Sequence, residues 1–203
     1  MRIATWNVER LKHYRQLSEI VSACELVRPD VLVLTETDER IKLSYHNCVH
    51  SLPLPSPYYK ATERRISIFT DYDIMGFQST YDEMTAICAE IETNRGRLLV
   101  YGTIIGIFGN RHSSFMIDLE KQMEDVKRLS AAGNNLCVCG DYNCSFSDNY
   151  YYTKDGRSKI EQTFERSNLE ILTKQQTWCI DHIAISKQFV GDAIVCKRSK
   201  NGI

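Results

Sequence analysis

Val31-Leu32-Val33-Leu34 and Leu136-Cys137-Val138-Cys139, in this 203-residue chain, are each apolar at four successive positions. Runs this short, with no polar alternation, are the mark of strands buried on both faces. The segments between them supply more strands and several helices. Arg2 to Val8 reads as a strand, and Tyr14 to Val27 as a helix with Leu17, Ile20, Val21, Cys24 and Leu26 near helical spacing. Arg28-Pro29-Asp30 stops that helix. Residues 45 to 60, with Pro53, Pro55 and Pro57, read as loop. Ile66 to Thr70, Ile74 to Phe77, Thr85 to Glu92 and Arg97 to Ile105 read as strands, with Asn94-Arg95-Gly96 as a turn signal. Asp118 to Leu129 and Ile160 to Ser167 read as helices, and Ile180 to Ser186 and Ala193 to Cys196 as strands. Single helices among runs of strands predict an α/β sandwich, two packed sheets with helices outside, in one domain over residues 1–203.

Charge and cysteine usage narrow the function classes. The net charge of −1 gives no global basic field, so a nucleic-acid partner would need a local patch. No run is apolar enough to span a membrane. Met1 to Trp6 lacks the apolar core of a signal peptide and reads as the first strand of the mature fold. The eight cysteines are therefore expected to be thiols in a reducing cytoplasm. Cys24, Cys88, Cys137 and Cys139 lie in apolar runs, where free cysteine packs as a small hydrophobe. Cys137-x-Cys139 has neither zinc-knuckle nor redox spacing, and in a strand both side chains face one way.

The apolar strands end in polar residues. Thr5-Trp6-Asn7-Val8, Leu34-Thr35-Glu36-Thr37 and Gly140-Asp141-Tyr142-Asn143 close three of them, and Cys179-Ile180-Asp181-His182 opens a fourth. Packed strands bring their ends together, so these groups can converge on one cleft. A carboxylate beside a core costs free energy unless it is paired or binds a cation. Glu36 and Asp141 offer oxygen ligands that suit Mg²⁺ or Mn²⁺, and Asn7 and Asn143 can add amide oxygens or orient a phosphate.

The stretches TWNVERL (5–11), LVLTETD (32–38), CGDYNCS (139–145) and CIDHIAIS (179–186), in this order, resemble the signature blocks of the endonuclease/exonuclease/phosphatase superfamily. LLVYGTI (98–104) and DLEKQMEDVKRL (118–129) are similar to its central strand and Gln-containing helix. The resemblance implies a four-layer α/β sandwich of two mixed sheets flanked by helices, and metal-dependent cleavage of a phosphate ester, with a phosphodiester of the nuclease kind favoured. It implies Glu36 as main metal ligand with Asn7 beside it, Asp141 orienting or deprotonating water, and Asn143 on the scissile phosphate. Asp181 would orient a catalytic histidine.

Two departures stand against the family pattern. The Ser-Asp-His block expected near the C-terminus is missing, so either the chain stops before its last block and strand, or His182 or His112 substitutes. Thr103-Ile104 replaces a Thr-His pair, with Asn110-Arg111-His112 following in the loop. Blander readings compete at several positions. Asn7, Asp141 and Asn143 are common turn formers, and His182 is as readily a packed histidine as a catalytic one. Arg111 and His112 are either phosphate contacts or solvated loop residues. Arg64-Arg65 reads as a solvated pair, Tyr150-Tyr151-Tyr152 as packing or base-stacking rings, and Trp6 as a core anchor. The competing function class is a non-catalytic relative that binds a phosphorylated ligand or a protein.

Overall fold

The computed structural model describes residues 1–12 and 16–191. It contains ten strands in two sheets and three helices. The smaller sheet runs β1 (Ile3–Asn7), β2 (Val31–Asp38), β4 (Glu63–Thr70), β3 (Asn47–His50). The larger runs β5 (Ile74–Gln78), β6 (Ala86–Thr93), β7 (Gly96–Ile104), β8 (Leu136–Asp141), β10 (Asp181–Ser186), β9 (Leu169–Ile171). Both are mixed: β1 and β2 pair in parallel, as do β7 and β8, and the remaining pairs are antiparallel. The helices are α1 (Leu17–Val27), α2 (Phe115–Ala131) and α3 (Lys154–Arg166).

The two apolar runs explain the layering. In β2, Val31 and Val33 face the inter-sheet core, whereas Leu32 and Leu34 pack with Ile20 and Cys24 of α1. In β8, Cys137 and Cys139 face the same inter-sheet core, whereas Leu136 and Val138 join Leu119, Met123 and Val126 of α2. Alternating side chains thus serve two interfaces, and the order is helix, sheet, sheet, helices. This is the four-layer sandwich expected. The Cys137–Cys139 pair is core packing, fully buried.

Several expectations shift. β3 falls inside the stretch read as loop, and β9 was not anticipated. Both are sheet edges, paired on one side only. Leu26 belongs to the helical pattern by spacing yet is 87% exposed, because only the Ile20–Cys24 stripe meets the sheet. Arg28 closes α1 in the left-handed region at φ 34°, its N–H on the Cys24 carbonyl, with Pro29 following. Arg64 and Arg65 are not solvated but buried. Arg64 pairs with Glu39 at 2.6 Å, and Arg65 Nη2 donates to the Tyr59 hydroxyl at 2.6 Å. Tyr14 and Arg15 of the first helix, and the strand expected at Ala193 to Cys196, lie outside the described residues.

Candidate active site

The ends of β1, β2 and β8 share one rim of the sandwich. Asn7 Nδ2 donates to Asp141 Oδ2 at 3.2 Å, joining the smaller sheet to the larger across 134 residues of sequence. Asn7 Oδ1 accepts the Glu9 N–H at 2.9 Å, and Asp141 Oδ1 accepts the Asn143 N–H at 2.8 Å. Both residues therefore form the side-chain turns that their residue type favours, and with their remaining atoms bridge the sheets.

Gly140 makes the approach of β8 to β7 possible. It sits at φ +142°, and a Cβ there would lie 2.0 Å from the Thr103 carbonyl oxygen. The glycine is thus required for close strand packing more than for a turn. Beyond it, Ile105 N–H donates to the Asp141 carbonyl at 2.9 Å. Gln122, buried on α2, accepts from Thr103 Oγ1 and donates through Nε2 to the Ile104 carbonyl at 2.9 Å. The Gln-containing helix thereby fixes the strand end that supports the site.

Glu36 is reached by a break in regularity. It stands at φ +45°, and the β2–β4 ladder pairs Thr35 and Thr37 but skips it. Left-handed backbone is costly for a residue with a Cβ and clusters at functional sites. Glu9 (φ 50°), Arg10 (φ 54°) and Asn143 (φ 48°) share this conformation around the same rim. Arg10 Nε lies 3.4 Å from Glu36 Oε2. Burial pushes the Asp141 carboxyl up to about 6; the Asn143 N–H and the Asn7 amide pull it down, and the negative charge of Glu36 raises it. Glu36 and Asp141 are thus close enough to repel.

The donor set at this rim is all oxygen: two carboxylates and the Asn7 amide. It fits a hard divalent cation. Mg²⁺ in particular is held by one or two carboxylates and completes its shell with water and substrate oxygens. A cation would also offset the repulsion between the two acids. Among the described residues no group of three or more His, Cys, Asp or Glu is placed to hold a metal ion, so the candidate set is two carboxylates and an amide.

The other anticipated residues divide. Asp181 faces Asp141 directly across the antiparallel β8–β10 pair. His182, its neighbour, points to the opposite face and is 0% exposed. Its Nε2 lies 3.0 Å and 3.1 Å from the carbonyls of Cys144 and Cys179, and its Nδ1 2.9 Å from Thr173 Oγ1. Two carbonyl acceptors at Nε2 fix the proton there and leave Nδ1 to accept from the threonine. Phe146 packs edge-on at 4.7 Å. Burial lowers the pKa of this ring to about 4. His182 is the packed alternative, a neutral strut, and the geometry does not bring it to the carboxylates.

Asn143 is buried at the rim, but Nδ2 donates to the carbonyls of Ile105 and Gly106 at 3.0 and 3.1 Å. Its amide donors, expected to point at a phosphate, are spent on the β7–α2 loop. Arg111 and His112 lie exposed on that loop. His112 Nδ1 is 2.9 Å from Ser114 Oγ at the start of α2, and its ring contacts Phe108 at 4.9 Å. Neither residue touches the carboxylates. Arg10 and Tyr59 were missed from sequence. Arg10 lies within TWNVERL, but nothing in that string signals a left-handed arginine.

Two sheets that meet at an acid-lined rim are a recurrent design, and the comparisons identify which one. The model of the endonuclease/exonuclease/phosphatase family matches residues 4–195. The chain belongs to this family. Its fold is similar to that of the 3′ phosphatase NExo from Neisseria, solved with a product DNA hairpin, at 17% identity and TM-score 0.67 over 93% of this chain and 87% of that one. An AP endonuclease from Archaeoglobus fulgidus aligns at 16% identity and TM-score 0.65, over 92% of this chain and 86% of that one. The AP endonuclease LMAP from Leishmania major aligns at 15% identity and TM-score 0.67, over 92% and 79%. No curated protein matches the chain in sequence. Family membership makes hydrolysis of phosphate esters the general expectation. Among the described residues, no helix is long and apolar enough to cross a membrane.

Proposed function

We propose that this protein is a Mg²⁺- or Mn²⁺-dependent phosphodiesterase of the nuclease kind. The supporting observation is the 3.2 Å Asn7–Asp141 hydrogen bond between the two sheets, with Glu36 beside it. Scaffolding alone gives no reason to bury one acid next to another.

Glu36, with the Asn7 amide oxygen, is the ligand set for the ion. Bound there, it would supply Lewis-acid polarisation of the phosphoryl oxygens and neutralise charge on the leaving oxygen. Asp141 takes the proton of the attacking water. Its two oxygens are oriented by Asn7 and by the Asn143 N–H, so one geometry is presented to the water. Asn143 holds the β7–α2 loop, and Arg111 on that loop offers a bidentate contact to phosphate. Asp181 stands opposite Asp141 across the β8–β10 pair, the position from which it would orient a catalytic histidine other than His182. Every cysteine among the described residues is free, which fits the reducing cytoplasm where we place the protein.

The test is hydrolysis of a nitrophenyl phosphodiester, a monoester, abasic duplex DNA and single-stranded DNA, with Mg²⁺ or Mn²⁺ and with EDTA. Diester turnover should require metal and fall by about 10²-fold or more in Glu36→Gln and in Asp141→Asn. Turnover that survives EDTA, or survives both substitutions, overturns the reading.

A further inference from the structure

A cavity of about 390 Å³ opens beside the candidate centre, lined by Arg10, Lys12, Tyr58, Tyr59, Lys60 and Glu63 among others. Its size is that of a small-ligand site, room for one nucleotide and not for a duplex. Arg10 is the hinge between the two: its Nε lies 3.4 Å from Glu36, and its guanidinium sits over the Tyr59 ring at 5.4 Å.

Two features say what charge the cavity receives. Three cationic side chains line it against the single carboxylate of Glu63. That carboxylate is itself buried and accepts the Lys60 backbone N–H at 3.2 Å. Lys12 pairs with Glu9 in an exposed contact at 3.5 Å, which contributes little and exchanges readily. A second guanidinium, Arg65, lies 5.0 Å from the Tyr59 ring centroid and donates to its hydroxyl at 2.6 Å. Arg65 is 5% exposed, its Nε has no hydrogen-bond partner, and no carboxylate pairs with it among the described residues. A buried, uncompensated cation favours an anion nearby. The remaining feature is Tyr58, whose ring is 83% exposed at the cavity edge. A lone exposed aromatic beside cations is the makeup of a base-stacking platform on an electrostatic track.

We propose that this cavity is a subsite for the nucleotide adjoining the scissile phosphate of a single-stranded nucleic acid. Tyr58 stacks on the base, Lys60 and Lys12 contact the phosphate, and Arg10 and Arg65, both held against Tyr59, make the neighbourhood positive. An unpaired base is specified because a base inside a duplex has both faces covered by its stacked neighbours. This local patch supplies what a chain of net charge −1 lacks globally. The inference rests on the phosphodiesterase reading of the neighbouring carboxylates.

The experiment is binding of a fluorescent single-stranded oligonucleotide, and of the matching blunt duplex, to the full chain in EDTA across a salt series. Tyr58→Ala should weaken single-strand binding by about tenfold or more without changing the salt slope, and Tyr58→Trp should restore it. Lys60→Ala should lower the slope of log affinity against log salt by about 0.7. Lys127→Ala, on the exposed face of α2, is the control and should match wild type. Wild-type affinity retained in both cavity variants overturns the subsite, as does absence of single-strand binding or a duplex preference reduced by the same substitutions. Because binding is read without metal, loss of the subsite and loss of the catalytic reading are separable: nitrophenyl diester turnover reports only the second.

Discussion

Asp141 and Asn7 each fill two roles with one side chain. Each closes a local turn with one atom and contacts the other sheet with the next. The turn reading of the sequence holds for both, and the same side chains also bridge the sheets. Gly140 allows this by leaving the Thr103 carbonyl room. Gly140→Ala places a methyl group on backbone, which cannot swing aside, at a φ that other residues rarely adopt. It should cost at least about 2 kcal/mol, read as a fall in the urea midpoint, with loss of diester turnover. His182 makes a different prediction. It is buried neutral, and its pKa is about 4 against an ordinary 6.5. The unfolded chain therefore binds a proton that the folded one refuses between those values. Stability from this site is full above pH 6.5 and declines as pH falls toward 4, by about 3 kcal/mol in total. Urea midpoints from pH 7 to pH 4 should fall more steeply in the wild type than in His182→Gln; equal slopes would refute the assignment.

At the scale of elements, strands enclosed on both faces declared themselves and edge strands did not. The runs Val31–Leu34 of β2 and Leu136–Cys139 of β8 are apolar throughout because each side meets a different layer. β3, half-buried and paired only with β4, carries Asn47, Cys48 and His50, a mixture with no period. β9 has three residues, too few to show a period. Glu36, Asp141 and Asn7 could be singled out as candidates because they lie at or near the ends of unmistakable strands. Arg10 and Tyr59 were not, since the turn at Glu9–Leu11 places non-glycine residues at positive φ, a choice that tertiary packing makes. Gln122 was visible only as part of a family block. The structure makes it a brace between α2 and the end of β7. Gln122→Ala strands the Ile104 carbonyl and the Thr103 hydroxyl in the interior. It should cost about 1–3 kcal/mol, measurable by chemical denaturation, and lower turnover by loosening the end of β7 that pairs with Asp141 of β8.

At the scale of the molecule, the candidate site depends on how the sheets sit on one another. Gly102 of β7 faces Ile66 and Val33 across the inter-sheet core, and a Cβ there would approach Ile66 Cγ2 to 2.7 Å. Gly102→Val inserts volume at that plane and should cost about 1–3 kcal/mol. It should also reduce diester turnover more than Leu119→Ala, which hollows the helix side of the larger sheet and leaves the inter-sheet distance alone. Turnover in proportion to stability for both variants would argue against such dependence.

The bond from Asn7 to Asp141 also sets an order of events during synthesis. The ribosome releases Asn7 and Glu36 early, and they wait through more than half the chain for their partner. Until the eighth strand has emerged and docked in parallel beside the seventh, the first two strands hold an amide and an acid with nothing to complete them. If the proposed site is the reacting one, a nascent polypeptide of this family member is inert toward phosphate esters around it until the sandwich is assembled.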